Sequence, residues 1–331
     1  MSHVHAPEAP ARPPMTEVAF ASLCEQFRGS TGWVVGRGPT RFDYALLARE
    51  PGPFFFVNDA VGAERWLRPG APSFFFAHDA SMAAWLLDPG LRSVPVLVTD
   101  QPVTGPREQP VEGLLRGRDD PHLAGVARAV FYRKQGPHER TSLLERSRVE
   151  IRDSGQLYTA SGTLHPLLHF AWYVGCRRLR MVGCDGFPGI GYDARLENRS
   201  GSTQQAAIFI RVRQEEILRR LGLPSEHVGT IPHRIRMILE LRVRPENRAR
   251  LLAWSDKFLD LLREHGCTEL LVNDWVASAR GYWVNGTWPG IDACVGCLAS
   301  ERYKAATLEG RVLADCDPES GYRTSFLAVR P

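Results

Sequence analysis

The chain has 331 residues, 44% of them hydrophobic and 24% charged, the balance of an ordinary globular protein; disorder, collagen and coiled coil are excluded. Basic residues number 41 against 37 acidic, a net +4, but only Lys134, Lys257 and Lys304 are lysines. That arginine bias marks GC-rich coding, no basic block alternates with aromatics, and no nucleic-acid partner is expected. No apolar run of about 18 residues exists, so no membrane span is predicted, and seven scattered cysteines read as free thiols in a reducing cytoplasm.

Taken in chain order, residues 1–29 read as a flexible Pro/Ala-rich leader followed by a first helix. From residue 30 to 233 short apolar runs end in polar residues before helical stretches. Trp33-Val34-Val35 ends in Gly36-Arg37-Gly38-Pro39-Thr40, Phe54–Val57 in Asn58-Asp59, and Ser73–Ala77 in His78-Asp79. Val94–Val98 ends in Thr99-Asp100 and Leu179–Gly183 in Cys184-Asp185. Runs of this kind read as buried parallel strands of an open, Rossmann-like α/β sheet, whose ligands bind at the strands' carboxyl ends. Residues 102–122 and 188–203 are polar excursions, the second placed where an active-site lid is built. A helix is predicted at about 163–175 and another at 204–221.

Beyond residue 233 the grammar changes. Met237–Val243 is a strand of alternating type, Asn247–Glu264 an amphipathic helix, and Gly266 its C-terminal glycine. Strands at 268–275 and 281–288, a helix from Gly290 to about Lys304 and a last strand at Tyr322–Val329 complete β-α-β-β-α-β, the ferredoxin-like order, over 234–331.

Gly36-Arg37-Gly38-Pro39-Thr40 follows the first strand, where glycine lets backbone N–H groups approach a phosphate or ribose; a plain tight turn is the alternative. No Gly-Lys-Ser/Thr follows, so it is not a Walker loop, and Arg41 stands at the third glycine position of a dinucleotide fingerprint. Ser161-Gly162-Thr163 opens a predicted helix, an anion site or an ordinary N-cap. His165 and His169, four apart, share a helix face among apolar neighbours, so core histidine is the plainer reading.

The ordered set VVGRGPTRFDYALL (34–47), FFFVNDA (54–60), FFFAHDA (74–80), ASGTLHPLLHFAWYVGCRRLRMVGCDGF (160–187) and Tyr192 resembles the small bacterial CMP-sialic-acid-dependent sialyltransferases and their pterin-diphosphokinase-like relatives over residues 30–222. The resemblance implies a CMP-type nucleotide or nucleotide sugar held by Gly36, Arg37, Gly38, Pro39, Thr40, Asn58, Asp59, Ser161, Gly162 and Thr163. It implies no metal, an Asp185 that orders the lid or binds a ribose hydroxyl, and a Tyr192 that binds phosphate. Arg37 replaces the family's loop Asn, Phe187 replaces a Tyr, and the family's general-base His has no counterpart. His78, Asp79, His165 or Asp193 would then supply a base. The catalytic candidates are His78, His165, Asp185 and Tyr192.

Met237–Glu246, Glu264–Val272, Asn285–Ala293 and Leu298–Lys304 together resemble the antibiotic-biosynthesis-monooxygenase type of dimeric α/β barrel. That resemblance implies a homodimer, and relatives that either oxidise polyketide rings without a cofactor or only associate. Cys294-x-x-Cys297 falls at helical spacing with Ile291, Val295 and Leu298 and reads as core, not as zinc ligands. The leading expectation is a metal-independent, nucleotide-sugar-dependent glycosyltransferase-like enzyme of specialised metabolism, acting on a small-molecule donor and acceptor. The alternatives are a diphosphokinase-like transferase, or a degenerate nucleotide-binding scaffold carrying a cofactor-free oxygenase or a dimerisation module.

Overall fold

The computed structural model describes residues 15–38, 40–91, 93–101, 113–115, 117–135, 142–159, 163–184, 208–229, 234–243, 245–275, 281–314 and 322–329. The elements begin with strands β1 (Thr16–Glu17), β2 (Thr31–Val35), β3 (Phe54–Val57) and β4 (Ser73–Phe76), then helix α1 (Ala83–Leu86) and β5 (Val96–Thr99). Next come β6 (Arg128–Lys134), α2 (Arg148–Ser154), β7 (Gln156–Leu157), α3 (Leu164–Tyr173), β8 (Arg178–Val182), α4 (Ile208–Arg220) and β9 (Ser225–His227). The last are β10 (Arg234–Arg242), α5 (Arg248–Glu264), β11 (Glu269–Trp275), β12 (Gly281–Trp288), α6 (Ile291–Ala299), α7 (Glu301–Leu313) and β13 (Tyr322–Val329). It is a mixed α/β chain with a large parallel sheet.

The chain forms two compact units, and the division does not fall at residue 233. One holds 15–32 and the described residues of 47–177; the other holds 33–46, 178–184 and 208–329. In the first unit the strand order is β1-β6-β5-β4-β3, with β7 beside β6, and every registered pair is parallel. The aromatic runs explain the strands. Phe54 to Phe56 and Phe74 to Phe76 are all buried, because a parallel sheet covered on both faces has no polar side to alternate with. Phe170 of α3 lies against Phe74 and Phe76 at ring distances of 5.2 and 5.5 Å. The connections are short: a 3-10 helix, Asn58–Trp66, follows β3, and another, Ala80–Met82, follows β4.

Three expectations change here. Residues 16 and 17 pair with Arg128 and Ala129 and so open the sheet ahead of the expected first helix. The first helix is a four-residue 3-10 turn, Phe20–Leu23. The sheet also contains β6, which the sequence reading passed over because charged residues bound its four buried positions at both ends.

In the second unit β2, β8 and β9 lie in that order, with β8 and β9 parallel. Its other sheet runs β11-β12-β10-β13, antiparallel throughout. With α5 after β10 and α6 and α7 before β13, this is the ferredoxin-like arrangement the order of elements predicted. Gly266 follows α5 at φ +80° and donates to the Arg263 carbonyl at 2.9 Å, as a C-terminal glycine should. The single helix expected from Gly290 to about Lys304 is two helices. Ser300 is extended at φ −67°, ψ 142°; it ends α6 and caps α7 by accepting the Tyr303 N–H at 3.1 Å.

Candidate ligand site

The carboxyl ends of the first unit's strands gather polar side chains, as the geometry of open α/β sheets requires of a ligand site. Asn58 ends β3 in the left-handed region at φ +50°, a conformation costly for most residues and least so for Asn. Its Oδ1 accepts a hydrogen bond from the Thr163 hydroxyl at 3.3 Å. Thr163 is the N-cap residue of α3 but makes no side-chain cap; its hydroxyl turns to Asn58 instead. Pro166, in the first turn of α3, removes one N–H from the set that a helix start leaves unbonded. Asp59 is 1% exposed, and its Oδ1 accepts from the Trp85 indole N–H at 2.7 Å. The indole fits because position 62 is glycine: a Cβ there would meet Trp85 Cη2 at 2.9 Å.

His78 ends β4 with 7% of its surface exposed, and among the described residues its Nε2 has no hydrogen-bond partner. Burial, and secondarily the charge of Lys134, pushes its pKa down to about 4, so the ring is neutral at pH 7. Asp79 beside it is half-buried, and burial, then Asp59, raises its carboxyl above the usual range. Thr99 ends β5 at 1% exposure, and its Oγ1 likewise has no partner among the described residues. At the end of β6, Gln135 holds both backbone groups of Thr159: its Nε2 donates to the carbonyl at 2.6 Å and its Oε1 accepts from the N–H.

His165 and His169 are both fully buried. His169 is a backbone partner. Its Nδ1 accepts the Tyr158 N–H at 2.9 Å, its ring stacks on Trp172 at 5.5 Å, and burial lowers its pKa to about 3.

In the second unit, the glycine-rich turn after β2 is built differently from a phosphate cradle. Gly36 N–H donates to the Val182 carbonyl and Gly38 N–H to the Gly183 carbonyl, both at 2.7 Å. These amides bond β8 and are not available to a phosphate. The glycines are required by the approach itself: a Cβ on Gly36 would sit 2.4 Å from Gly183 O, and one on Gly183, at φ +63°, 2.5 Å from Gly36 O. Arg37 and Thr40 are buried, at 9% and 2% exposure. Pro39, Ser161, Gly162, Asp185, Tyr192 and Asp193 lie outside the described residues.

Sequence reasoning missed a cluster around Arg211 of α4. Its guanidinium contacts His227 Nδ1 at 2.6 Å, Asp292 Oδ1 at 3.1 Å and Glu215 Oε1 at 2.9 Å. Burial and Arg211 lower the His227 pKa to about 3. With Nδ1 accepting, the ring proton sits on Nε2, 3.2 Å from Gln214 Nε2, and Gln214 accepts it through Oε1 once its amide is turned over. Thr99 was missed too, although it ends an apolar run just as Asn58 and His78 do.

Cys294 and Cys297 are fully buried on α6, and Cys267 lies near both. Burial raises Cys297 to about 12 and Cys267 to about 11, which keeps them as thiols packed in the core. No group of three or more metal-ligating side chains occurs among the described residues, and no helix among them is long and apolar enough to cross a membrane.

Solved structures are similar to part of this chain. A conserved protein of unknown function from Bacteroides thetaiotaomicron matches over 30% of this chain and 100% of its own, at 14% identity and a TM-score of 0.27. SnoaB, a cofactor-independent oxygenase from Streptomyces nogalater, matches over 30% of this chain and 95% of its own, at 12% identity and a TM-score of 0.26. An antibiotic biosynthesis monooxygenase matches over 29% of this chain and 97% of its own, at 12% identity and a TM-score of 0.25. No protein-family model matches the chain, and no curated protein does.

Proposed function

We propose that the parallel-sheet unit binds a nucleotide sugar, of CMP type, at the carboxyl ends of β3 and β4 and transfers its glycosyl group without a metal. The observation that carries this is the Asn58–Thr163 hydrogen bond. Two residues far apart in sequence, one at a strand end and one at a helix start, meet where such a fold binds its ligand, and Asn58 holds a left-handed backbone there. In this reading the unbonded N–H groups at the start of α3 stabilise the leaving phosphate, while the Thr163 hydroxyl, donated to Asn58, ties the helix start to the end of β3. The amides of Gly36 and Gly38 take no part, because β8 holds them. His78 serves as a neutral hydrogen-bonding group, since an imidazole with a pKa near 4 is a poor proton acceptor at pH 7. Asp79, raised by burial, is the better base.

A thermal-shift and calorimetry panel of CMP, CDP, UDP, GDP, ADP, ATP and NAD tests the reading. Selective binding of a cytidine nucleotide, weakened at least tenfold by Asn58→Ala, is expected. Silence across the panel removes it, and dependence on ATP and Mg²⁺ favours diphosphate transfer instead.

We also propose that the antiparallel sheet pairs two copies of the chain. Leu271 on β11 is 64% exposed, and the register carries its row through Asn285 and Ile238 to Ser325, on the sheet face opposite the buried Met237, Leu239 and Leu241. Light scattering of the full chain that gives the monomer mass at micromolar concentration rejects this pairing. Oxygen uptake with an aromatic polyketide would make the module an oxygenase.

A further inference from the structure

We infer that His78, Thr99 and Tyr132 form a subsite for an uncharged, hydroxyl-bearing group, the sugar of the bound ligand, at the carboxyl ends of β4, β5 and β6. The inference rests on the nucleotide-sugar reading for the identity of the ligand, but not for the existence of the subsite. Phe76 is in register with Leu97, and Thr99 with Tyr132. Alternate residues of a strand share a face, so continuing the β4–β5 register by two residues sets His78 abreast of Thr99. By that continuation the three side chains fall in one row, His78 two residues past the end of β4, at 7%, 1% and 2% exposure.

Two of the three have hydrogen-bonding atoms that nothing among the described residues meets, His78 Nε2 and Thr99 Oγ1. Buried polar atoms are almost always paired, because a bare one forfeits the hydrogen bonds it made with water. Two neighbouring exceptions at the ligand-binding edge mark capacity held for a partner. The chemistry of the row selects that partner. Burial keeps His78 neutral and raises the Tyr132 phenol, so the row carries no fixed charge at pH 7. Imidazole, hydroxyl and phenol each donate and accept; a phosphate or carboxylate needs donors only, whereas sugar hydroxyls need both.

The test uses Thr99→Val, which keeps the shape and removes the hydroxyl, with Thr99→Ser as its rescue and His78→Gln as a second probe. Affinities are measured for CMP and UDP alone and for CMP-N-acetylneuraminate and UDP-glucose. The unliganded Thr99→Val protein is expected to melt at or above the wild-type temperature, because it loses a bare buried hydroxyl. It should bind the sugar conjugate at least tenfold more weakly while the free nucleotide changes less than twofold, and Thr99→Ser should restore binding. Equal loss for nucleotide and conjugate, or no loss for the conjugate, overturns the subsite while leaving nucleotide binding in place. If wild type binds no nucleotide, the nucleotide reading fails and the subsite is judged on free glucose and N-acetylneuraminate at 100 mM. Protection of wild type but not of Thr99→Val upholds it, and protection of neither overturns it. Should Thr99→Val not fold, His78→Gln is scored by the same comparison.

Discussion

The two sheets place their polar residues in opposite ways. In the parallel sheet β4 reads as four consecutive buried residues, and its chemistry begins only where the strand stops, at His78. In the antiparallel sheet β10 alternates along its length, Ile235, Met237, Leu239 and Leu241 buried and Arg236, Ile238 and Glu240 turned to the other face. A sheet covered on both faces can present function only at its edge, whereas one covered on a single face presents a surface. The first layout suits a small ligand and the second a partner.

The comparison breaks most visibly by removing what holds the antiparallel sheet to its helices. Phe258 of α5 is fully buried, stacked on Trp254 at 4.8 Å and leaning on Tyr303 at 5.8 Å. Phe258→Ala is expected to cost about 4 kcal/mol, read by chemical denaturation of the full chain. A loss under about 1 kcal/mol would mean that the module's stability comes from elsewhere.

Acidification acts on both units of the chain. His169 and His227 are lowered to about 3 and His78 to about 4, so the folded state binds fewer protons than the unfolded chain below pH 6.5. Stability is therefore complete above about pH 6.5 and falls as the pH drops toward the folded-state values, by about 2 kcal/mol per histidine at pH 5. Denaturation curves at pH 7.5 and 5.0 read the change directly, and coincident midpoints would contradict the buried neutral rings.

The smallest effect separates surface from core. Leu271→Lys should change monomer stability by less than about 0.5 kcal/mol while weakening self-association at least tenfold in sedimentation. An unchanged dimer would exclude this face.

Much of this arrangement can be read in the sequence. Phe54–Val57 and Ser73–Phe76 announce buried strands because aromatic runs bounded by Asn-Asp and His-Asp have no other economical fold, and β12 and β13 fall at the expected 281–288 and 322–329. The break between α6 and α7 was also legible: Ser300 followed by Glu301 is a helix-start signal, overlooked because the apolar spacing continues through it. At the candidate site, Asn58 and His78 are visible as strand ends, but their surroundings are not. That Thr163 turns to Asn58, or that Trp85 takes the carboxylate of Asp59, depends on segments brought together by the sheet. Gly36 and Gly38 show the limit most clearly. A glycine next to a strand says only that a side chain is excluded; whether by phosphate or by another strand is decided by tertiary packing.

That pair of crossing backbones also governs how the protein can vary. Gly36 and Gly183 each leave no room for the other's first side-chain carbon. Whichever is replaced first must push β2 and β8 apart, and the separation opens space for the second. The two losses should therefore overlap, Gly36→Ala with Gly183→Ala costing clearly less than the sum of the single changes. Among homologues, the two positions would then be inherited as one unit, kept together or abandoned together.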